Sequence, residues 1–409
     1  MKRPEILSPA GNFEKMKAAI LYGADAVYLS GKIFGMRAAA DNFSIQELAE
    51  ATEYAHERSV KVYLTLNTMP REYEYPTLIK YLEDIKDIPL DAMIIGDIGV
   101  FNLVRETLPD MDIHISTQAN SVSAQDCLAW YKMGAKRVVL ARELTLEEIK
   151  QIKRGIPEDL EIECFIHGSM CISYSGRCLL SGHMVGRDAN RGACAQPCRW
   201  NYSIRGYEIA EEKRPNMSMP IEEINGETFI MASRDTCMIE HIPELVEAGI
   251  NSFKIEGRMK SSYYTAVVTN TYKMALDTYF SGNYEYNKLW YKELLSVSHR
   301  EYHTGYYFDT SFEEANLAKS AGYFKDKAYL ATVLDYDEES KMAKLSQRNK
   351  IKIGDKAEYL TPGAVGKDIQ INELYDENML PIQSAPHPYM TFYIKTDCKL
   401  RPGDIIRGA

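Results

Sequence analysis

No stretch of the 409-residue sequence is long and apolar enough to span a bilayer, which takes about 20 residues as a helix. The longest apolar candidate, residues 92–104, is interrupted by Asp97. The first residues lack the apolar core and cleavage site of a signal peptide. We therefore expect a cytoplasmic protein without a membrane partner.

Basic residues are also fewer than acidic residues. Lysine and arginine together number 48 against 58 aspartate and glutamate residues, so the net charge is −10. This balance excludes a general surface for polyanions. Any contact with nucleic acid would need a local basic patch on an acidic protein.

Short β-branched runs alternate with amphipathic helical stretches through the first 280 residues, a pattern typical of βα units. The runs are 5–8, 26–29, 61–66, 92–95, 113–116, 137–140, 161–166 and 252–255. Eight parallel strands are what a closed barrel requires. Gly23, Gly134 and Gly249 each stand where a left-handed residue would end a helix before a strand. We predict a TIM-like (β/α)8 barrel in the α/β class.

The predicted barrel occupies residues 1–285 and carries an insertion at 168–227, after its seventh strand. The seventh and eighth runs are about 85 residues apart, far more than a crossover connection needs. Within this region we expect 200–205 and 228–233 to pair as a hairpin around a polar loop, 208–225.

Two further regions follow the barrel. Residues 286–325 are aromatic and are expected to form an irregular connector. From 326 to 409, alternating runs and Pro-Gly turns predict a small antiparallel β-barrel. Its predicted strands are 328–336, 341–345, 355–360 and 390–396.

Five of the eight cysteines are concentrated in one part of the chain: Cys171, Cys178, Cys194, Cys198 and Cys237. Reduced thiols in a cytoplasmic protein point to a metal or to catalysis rather than to disulfides. Thiolates suit tetrahedral zinc or an iron–sulfur cluster held by four cysteines. The wide spacing favours the cluster, with zinc and no metal as alternatives, and it leaves one cysteine over.

Polar residues stand just past the predicted strands, where a barrel has its active site. They are Asn67, Asp97, Gln118 with Asn120, Arg142 with Glu143, His167, and Glu256 with Arg258. Arg142, Arg258 and Arg37, which lies in the second βα loop, could converge on an anion, because guanidinium groups match carboxylates. We predict a small acid as ligand, with Asn67, Gln118 and Asn120 also binding it. His167 and Glu256 are the candidate catalytic residues.

Signatures of hydrolases are missing. Neither a Gly-x-Ser-x-Gly elbow nor a His-Glu-x-x-His zinc motif occurs. A Cys/His hydrolase would have to use His167 with a nearby cysteine such as Cys171. The residues themselves give no positive support for hydrolysis.

Two segments carry a family resemblance. Residues 163–171, Glu-Cys-Phe-Ile-His-Gly-Ser-Met-Cys, and 175–181, Ser-Gly-Arg-Cys-Leu-Leu-Ser, resemble the signature of peptidase family U32, the collagenase-like group. Further matches are 7–11, 25–28, 116–120, 191–199, 233–235 and 254–258. The resemblance covers essentially the whole chain, including the extra β-barrel of the longer members.

The resemblance implies oxygen-independent hydroxylation rather than simple proteolysis. Similar members act on tRNA wobble uridine, on ribosomal RNA and on ubiquinone precursors, and they carry a [4Fe–4S] cluster. Those acting on RNA use prephenate as the apparent hydroxyl source. By its length and β-barrel tail, this chain looks most like the members that form 5-hydroxyuridine in tRNA.

The resemblance also implies ligands and partners. Cys171, Cys178 and Cys237 match the cluster ligands, and the third match falls on Cys194, with Cys198 as its competitor. The implied partners are tRNA, prephenate and, in addition, a second subunit from the same family. Two alternatives stay open, namely a U32-type peptidase and a zinc-stabilised binding module.

Overall fold

The computed structural model describes residues 2–37, 40–171, 173–200, 233–282, 284–308 and 323–408, and the backbone of three strands between 202 and 220. Within these ranges the chain forms a parallel barrel, a cysteine-bearing insertion and a C-terminal antiparallel sheet. None of the helices described there is long and apolar enough to cross a membrane.

Eight parallel strands close into a barrel, which confirms the predicted fold class. The strands are β1 (Glu5–Pro9), β2 (Ala26–Leu29), β3 (Lys61–Leu66), β4 (Ala92–Ile95), β5 (Ile113–Ile115), β6 (Arg137–Val139), β7 (Glu161–Ser169) and β12 (Ser252–Ile255). Strand β12 closes the barrel, because Ser252 pairs with Glu5 of β1 on one side and with Glu163 of β7 on the other.

Ten helices are described, most of them around the barrel. They are α1 (Phe13–Leu21), α2 (Ile45–His56), α3 (Tyr75–Ile85), α4 (Ile98–Thr107), α5 (Ala124–Lys132), α6 (Leu146–Arg154), α7 (Leu180–Val185), α8 (Ile242–Glu247), α9 (Ser262–Phe280) and α10 (Lys288–Leu295). Local sequence explains their ends. Thr145, for example, begins α6 with a reciprocal cap to Glu148, and Gly134, at a φ of 103°, follows the end of α5.

The barrel interior contains a buried ionic network. Glu163 on β7 is fully buried and accepts hydrogen bonds from Lys254 Nζ at 2.6 Å and Arg137 Nη1 at 3.2 Å. Arg137 also contacts Glu5 and, at 2.5 Å, Glu161. Because these residues belong to β1, β6, β7 and β12, the network ties together the strands on both sides of the closure.

The insertion after β7 differs from the prediction. Strand β7 continues three residues beyond Ile166, because β11 (Asp235–Cys237) pairs with its extension antiparallel and β13 (Tyr302–His303) pairs with β11. The expected polar loop 208–225 contains regular structure, since β8 (Tyr202–Arg205), β9 (Glu208–Glu211) and β10 (Arg214–Pro220) form an antiparallel sheet. The predicted partner strand at 228–233 lies almost entirely outside the described residues.

The connector predicted as irregular is partly regular. Helix α10 and strand β13 lie within 286–325, and residues 309–322 are outside the described part of the chain. The helix was missed because it has only eight residues and lies in a segment rich in aromatic residues, which was read as irregular throughout. The domain bounds at 285 and 325 stay a prediction.

The C-terminal sheet is antiparallel and curled, which confirms the second part of the predicted fold. Its strands are β14 (Tyr329–Asp337), β15 (Met342–Gln347), β17 (Lys356–Leu360), β18 (Lys367–Gln370), β19 (Leu374–Tyr375), β20 (Pro381–Ile382), β22 (Thr391–Lys395) and β23 (Ile405–Gly408). Two short strands, β16 (Ile351–Lys352) and β21 (Ser384–Ala385), pair with each other in a separate sheet. The four predicted strands correspond to β14, β15, β17 and β22.

A buried arginine joins this sheet to the barrel's helices. Arg407 on β23 is 1% exposed, and its guanidinium donates to Glu293 of α10 at 2.7 and 2.8 Å and to Glu358 of β17 at 2.7 and 2.9 Å. Asn270 of α9 adds two hydrogen bonds, to Ala364 and from Gly363. The C-terminal sheet is therefore fixed against α9 and α10.

Replacing Glu163 with glutamine is expected to destabilise the protein by about 3–5 kcal/mol, because Lys254 would lose its carboxylate inside the barrel. Urea unfolding measures the change. The matched control is Glu161→Gln, which also removes a partner of Arg137 but at a side chain that is 31% exposed. Equal effects of the two substitutions would contradict the role given to Glu163.

Candidate functional site

A small pocket opens at the carboxyl ends of the barrel strands, where this fold places active sites. It brings together five of the predicted substrate-binding residues and Glu256. Its volume is about 50 Å³, room for a few water molecules or a small polar group. We call it the anion pocket, and it is lined by Tyr28, Met36, Arg37, Thr65, Asn67, Ile94, Ser116, Thr117, Gln118, Arg142, Phe165, Lys254, Glu256 and Arg258.

Short βα loops carry these side chains into the pocket. Asn67 follows β3, Arg142 follows β6, and Glu256 and Arg258 follow β12. Gln118 lies in a single helical turn after β5 that Ser116 caps through its hydroxyl. Because parallel strands all end at the same rim, residues far apart in sequence meet there.

Two glycines allow the segment after β7 to approach the pocket closely. Gly168 has a φ of 104°, and a Cβ there would lie 2.4 Å from the carbonyl oxygen of Glu256. At Gly176 a Cβ would lie 2.2 Å from the carbonyl oxygen of Gln118. Any larger residue would push the cysteine-bearing segment away from the rim.

Three arginines surround the carboxylate of Glu256. Arg37 Nη2 lies 3.6 Å from one carboxylate oxygen, and Arg142 Nη2 lies 3.8 Å from the other. Burial by itself would raise the pKa of Glu256, but the three arginines outweigh it and hold that pKa below its usual value. Burial lowers the pKa of Arg258 to about 10. Glu256 is therefore an ionised counter-ion at neutral pH.

The anion pocket has more positive than negative charge. The charge of Lys254 is balanced by Glu163. The three arginines of the pocket are then balanced by one carboxylate only, that of Glu256. Two positive charges are left over in a mostly buried site. Such a surplus favours a ligand that brings two negative charges.

Not every predicted binding residue lines the pocket. Asn120 ends the turn after β5 in the left-handed conformation, with a φ of 57°, and points elsewhere. Its Oδ1 is buried and has no hydrogen-bond partner among the described residues. The position of Asn120 in the sequence, just past a strand, could not show that its side chain lies outside the pocket. The backbone conformation decides the direction of that side chain.

Other lining residues were missed from the sequence. The Arg142 guanidinium lies over the ring of Phe165, 3.8 Å from its centre, and Tyr28 donates a hydrogen bond of 2.9 Å to the carbonyl of Ile255. These side chains lie within strands and point inward. Side chains alternate between the two faces of a strand. Phe165 and Tyr28 could have been predicted from this alternation if the inward face of each strand had been known.

His167 is buried away from the anion pocket. The backbone has an irregularity between Phe165 and His167, where β7 gains one residue relative to β12. Such a bulge re-aims a side chain, and here the ring lies among Tyr264, Tyr272 and Tyr302. Burial lowers the pKa of His167 to about 3, so the ring is neutral. A catalytic role for His167 stays a prediction.

Four of the five clustered cysteines share one neighbourhood. Burial raises the pKa of Cys198, Arg199 lowers it, and the nearby thiols of Cys171, Cys194 and Cys178 raise it further. The charge of Cys171 also acts on Arg37, so this group lies beside the anion pocket. We call residues 171–200 the thiol segment.

Cys237 lies apart from the other four. It is 6% exposed in β11, and its Sγ is 4.0 Å from the hydroxyl of Tyr272 on α9. Burial raises its pKa to about 12. The predicted ligand set of Cys171, Cys178, Cys194 and Cys237 stays a prediction, with Cys198 in the better position to join the first three.

The donor set fits a thiolate-bound cluster in its chemistry, although not yet in its arrangement. Among the described residues, no three histidine, cysteine or acidic side chains converge on one metal position. The thiol segment does supply four cysteines within one neighbourhood, which is the ligand number of an iron–sulfur cluster.

Comparison with known proteins identifies the family. The model for peptidase family U32 matches residues 11–317, and the model for the U32 C-terminal domain matches residues 325–407. The chain belongs to peptidase family U32. The anion pocket and the thiol segment both lie within the first match, and the C-terminal sheet corresponds to the second.

Relatives of this U32 chain have names that point to different activities. It is 38% identical to tRNA hydroxylation protein P1 of Bacillus subtilis, covering 99% of this chain and 95% of the relative. It is 34% identical to tRNA hydroxylation protein P of Escherichia coli, with 88% and 87% covered. A collagenase of Porphyromonas gingivalis is 30% identical, with 98% and 96% covered.

Replacing Glu256 with glutamine is expected to lower the melting temperature, because three buried arginines lose their counter-ion. Malonate should then restore stability, and should do so more in this variant than in the unaltered protein. Thermal unfolding with malonate and with acetate measures both effects.

Asp97→Asn serves as the matched control. Asp97 also follows a strand, but it caps α4 by accepting from Gly99 and Val100, and asparagine caps equally well. This variant should keep its stability and show no added response to malonate. An equal response in both variants would show that the arginines do not bind dicarboxylates.

Proposed function

We propose that this chain hydroxylates tRNA, converting the wobble uridine to 5-hydroxyuridine without molecular oxygen. Two relatives that match nearly its whole length are named tRNA hydroxylation proteins. The observation in the structure that carries the proposal is the surplus of positive charge in the anion pocket, directly beside the thiol segment.

A dicarboxylic acid is the proposed hydroxyl source, with prephenate as the compound that the family resemblance implies. Arg37, Arg142 and Arg258 would hold its carboxylates, and the amides of Asn67 and Gln118 would donate hydrogen bonds. The pocket volume of about 50 Å³ requires the Glu256 carboxylate to give way as the ligand enters. Once displaced from the arginines, Glu256 is placed to accept or return a proton.

The thiol segment is the proposed cofactor site. Cys171, Cys178 and Cys194 would hold three corners of a [4Fe–4S] cluster, and Cys198 or Cys237 would hold the fourth. When bound, such a cluster would supply one-electron chemistry. Arg199, whose charge acts on Cys171 and Cys198, would offset the negative charge of the thiolates.

Proteolysis has one observation in its favour, the similarity to a collagenase. The anion pocket gives it little support, because none of its lining residues is a histidine and its carboxylate is held by arginines. A zinc-stabilised module would use the same thiols without the arginine pocket. Metal analysis separates that alternative from the cluster.

Deleting the gene is expected to remove 5-hydroxyuridine and its derivatives from tRNA, as measured by mass spectrometry of nucleosides. Expression of the unaltered chain should restore them. Arg142→Gln should not, because the pocket loses one of the two arginines that contact Glu256. Asp97→Asn is again the matched control and should restore the nucleoside. Unchanged tRNA in the deletion strain would refute the function.

Anaerobically isolated protein is expected to be brown and to contain iron. Serine at Cys171, Cys178 or Cys194 should abolish the visible absorbance and the bound iron, because each removes a thiolate ligand. Of the variants Cys198→Ser and Cys237→Ser, one should lose iron and the other should keep it. The matched control is Cys398→Ser, which alters the C-terminal sheet and should leave the iron content unchanged.

Two results would contradict this assignment. If all five serine variants retain iron, the cluster is not bound by these cysteines. One zinc per chain, with no iron under anaerobic isolation, would support the binding-module alternative instead.

A further inference from the structure

The thiol segment is basic, although the whole chain is acidic. It contains Arg177, Arg187, Arg191 and Arg199 but a single acidic residue, Asp188. The chain as a whole has a net charge of −10. A polyanion that approaches this protein would therefore be attracted to this segment and repelled by most of the remaining surface.

The basic residues reach the outer rim of the barrel. Arg177 and Arg187 are exposed to solvent. Arg191 lies 2.6 Å from a carboxylate oxygen of Glu74 and 3.3 Å from the hydroxyl of Tyr73. The negative charge of Asp188 is balanced by Arg71 of a neighbouring βα loop, whose Nη2 lies 3.8 Å from Asp188 Oδ2. The one acidic residue of the segment thus does not cancel its exposed arginines.

A second and larger cavity lies within this basic rim. Its volume is about 290 Å³, close to the lower limit of small-molecule sites. We call it the rim cavity, and its lining consists of Met69, Arg71, Cys178, Leu179, Gly182, Gly186, Asp188, Asn190 and Arg191.

The rim cavity and the anion pocket share no lining residue. Cys178 lines the cavity, whereas Cys171 acts on Arg37 of the anion pocket. Gly192 of the thiol segment packs so closely on the second βα loop that a Cβ there would lie 2.6 Å from the carbonyl oxygen of Gly35. The thiols are therefore within reach of two separate ligands.

The cavity has the chemistry of a site for an unstacked nucleoside. Leu179 is 66% exposed and, with Met69, offers an apolar surface to a base. Tyr73 is 73% exposed at the edge, beside Arg191. Single-stranded RNA is recognised by aromatic rings and guanidinium planes that stack on bases, and by polar groups that bond base edges, as Asn190 could.

We propose that the rim cavity receives the target nucleoside of a single-stranded RNA loop, with the exposed Arg177 and Arg187 binding the flanking phosphates. The inference rests on the proposed tRNA hydroxylation, and it specifies where the RNA binds. The nucleoside then approaches the thiol segment near Cys178, and the anion pocket lies near Cys171 of the same segment.

The first test measures binding of a fluorescein-labelled anticodon stem-loop to the full chain by anisotropy over a range of salt concentrations. The double variant R177Q/R187Q should raise the Kd about tenfold or more and reduce the salt slope by about two, one unit for each lost phosphate contact. Both residues are exposed, but Arg187 Nε also donates to the Ala193 carbonyl at 2.8 Å, so the single variant R177Q, which keeps that bond, should show about half of the change in slope.

The matched control is K136Q/R154Q. Lys136 precedes β6 and Arg154 ends α6, so both lie at the opposite end of the barrel. This variant removes the same charge and should bind the RNA as the unaltered chain does. Equal weakening by the two double variants would overturn the proposal, because only net charge would then matter.

A second test fills the rim cavity. Gly182 lines it, and a Cβ there would meet nothing within 4 Å, so the side chain of G182F begins in open space at the cavity wall. Hydroxylation of tRNA should fall at least tenfold while the iron content and the response to malonate stay unchanged. E50F, on the exposed face of α2, adds the same ring elsewhere and should hydroxylate normally. Normal hydroxylation by G182F would overturn the nucleoside site.

The two proposals fail in different ways. If the deletion strain keeps its 5-hydroxyuridine, the function itself is refuted. If the nucleoside is lost but R177Q/R187Q binds the stem-loop as tightly as the unaltered chain, only the location of the RNA is wrong. If R177Q/R187Q weakens the binding of polyglutamate as much as the binding of the stem-loop, the segment is a general anion-binding surface. That result would also overturn the assignment to RNA.

Discussion

The buried carboxylate of Glu163 is the interaction on which the rest of this structure depends. It holds Lys254 and Arg137 inside the barrel, at the place where β12 closes the sheet between β7 and β1. Glu256 lies two residues after Lys254, and Arg258 lies four residues after it. The closure of the barrel therefore also sets the position of these two side chains. The buried ion network and the anion pocket thus share one strand, and Lys254 belongs to both.

Charge is distributed very unevenly over this molecule. The chain is acidic overall, yet both regions that the proposals use are positive: the anion pocket through its three arginines and the thiol segment through four. A buried surplus of positive charge is costly and persists only if a ligand or function requires it. Uneven charge, rather than net charge, therefore reconciles an acidic protein with an RNA substrate.

Much of the fold was predictable because the information is local. Eight β-branched runs, their separation by amphipathic helices and the glycines at helix ends are each visible within a few residues. Strand-end residues such as Asn67, Gln118 and Arg258 could be assigned to one rim, since the barrel itself brings the strand ends together. The arginines expected at that rim, Arg37, Arg142 and Arg258, then predicted an anionic ligand.

The tertiary structure decided what local patterns do not contain. Pairing of β11 with β7 joins segments about 65 residues apart, and it lengthens β7 and buries Cys237 beneath Tyr272. The extra residue before His167 turns that ring towards tyrosines from α9 and β13. The sequence by itself determined the barrel, the rim residues and the cysteine-rich segment. Only long-range pairing decided which of those residues meet, because a side chain's direction depends on the register of strands that are distant in sequence.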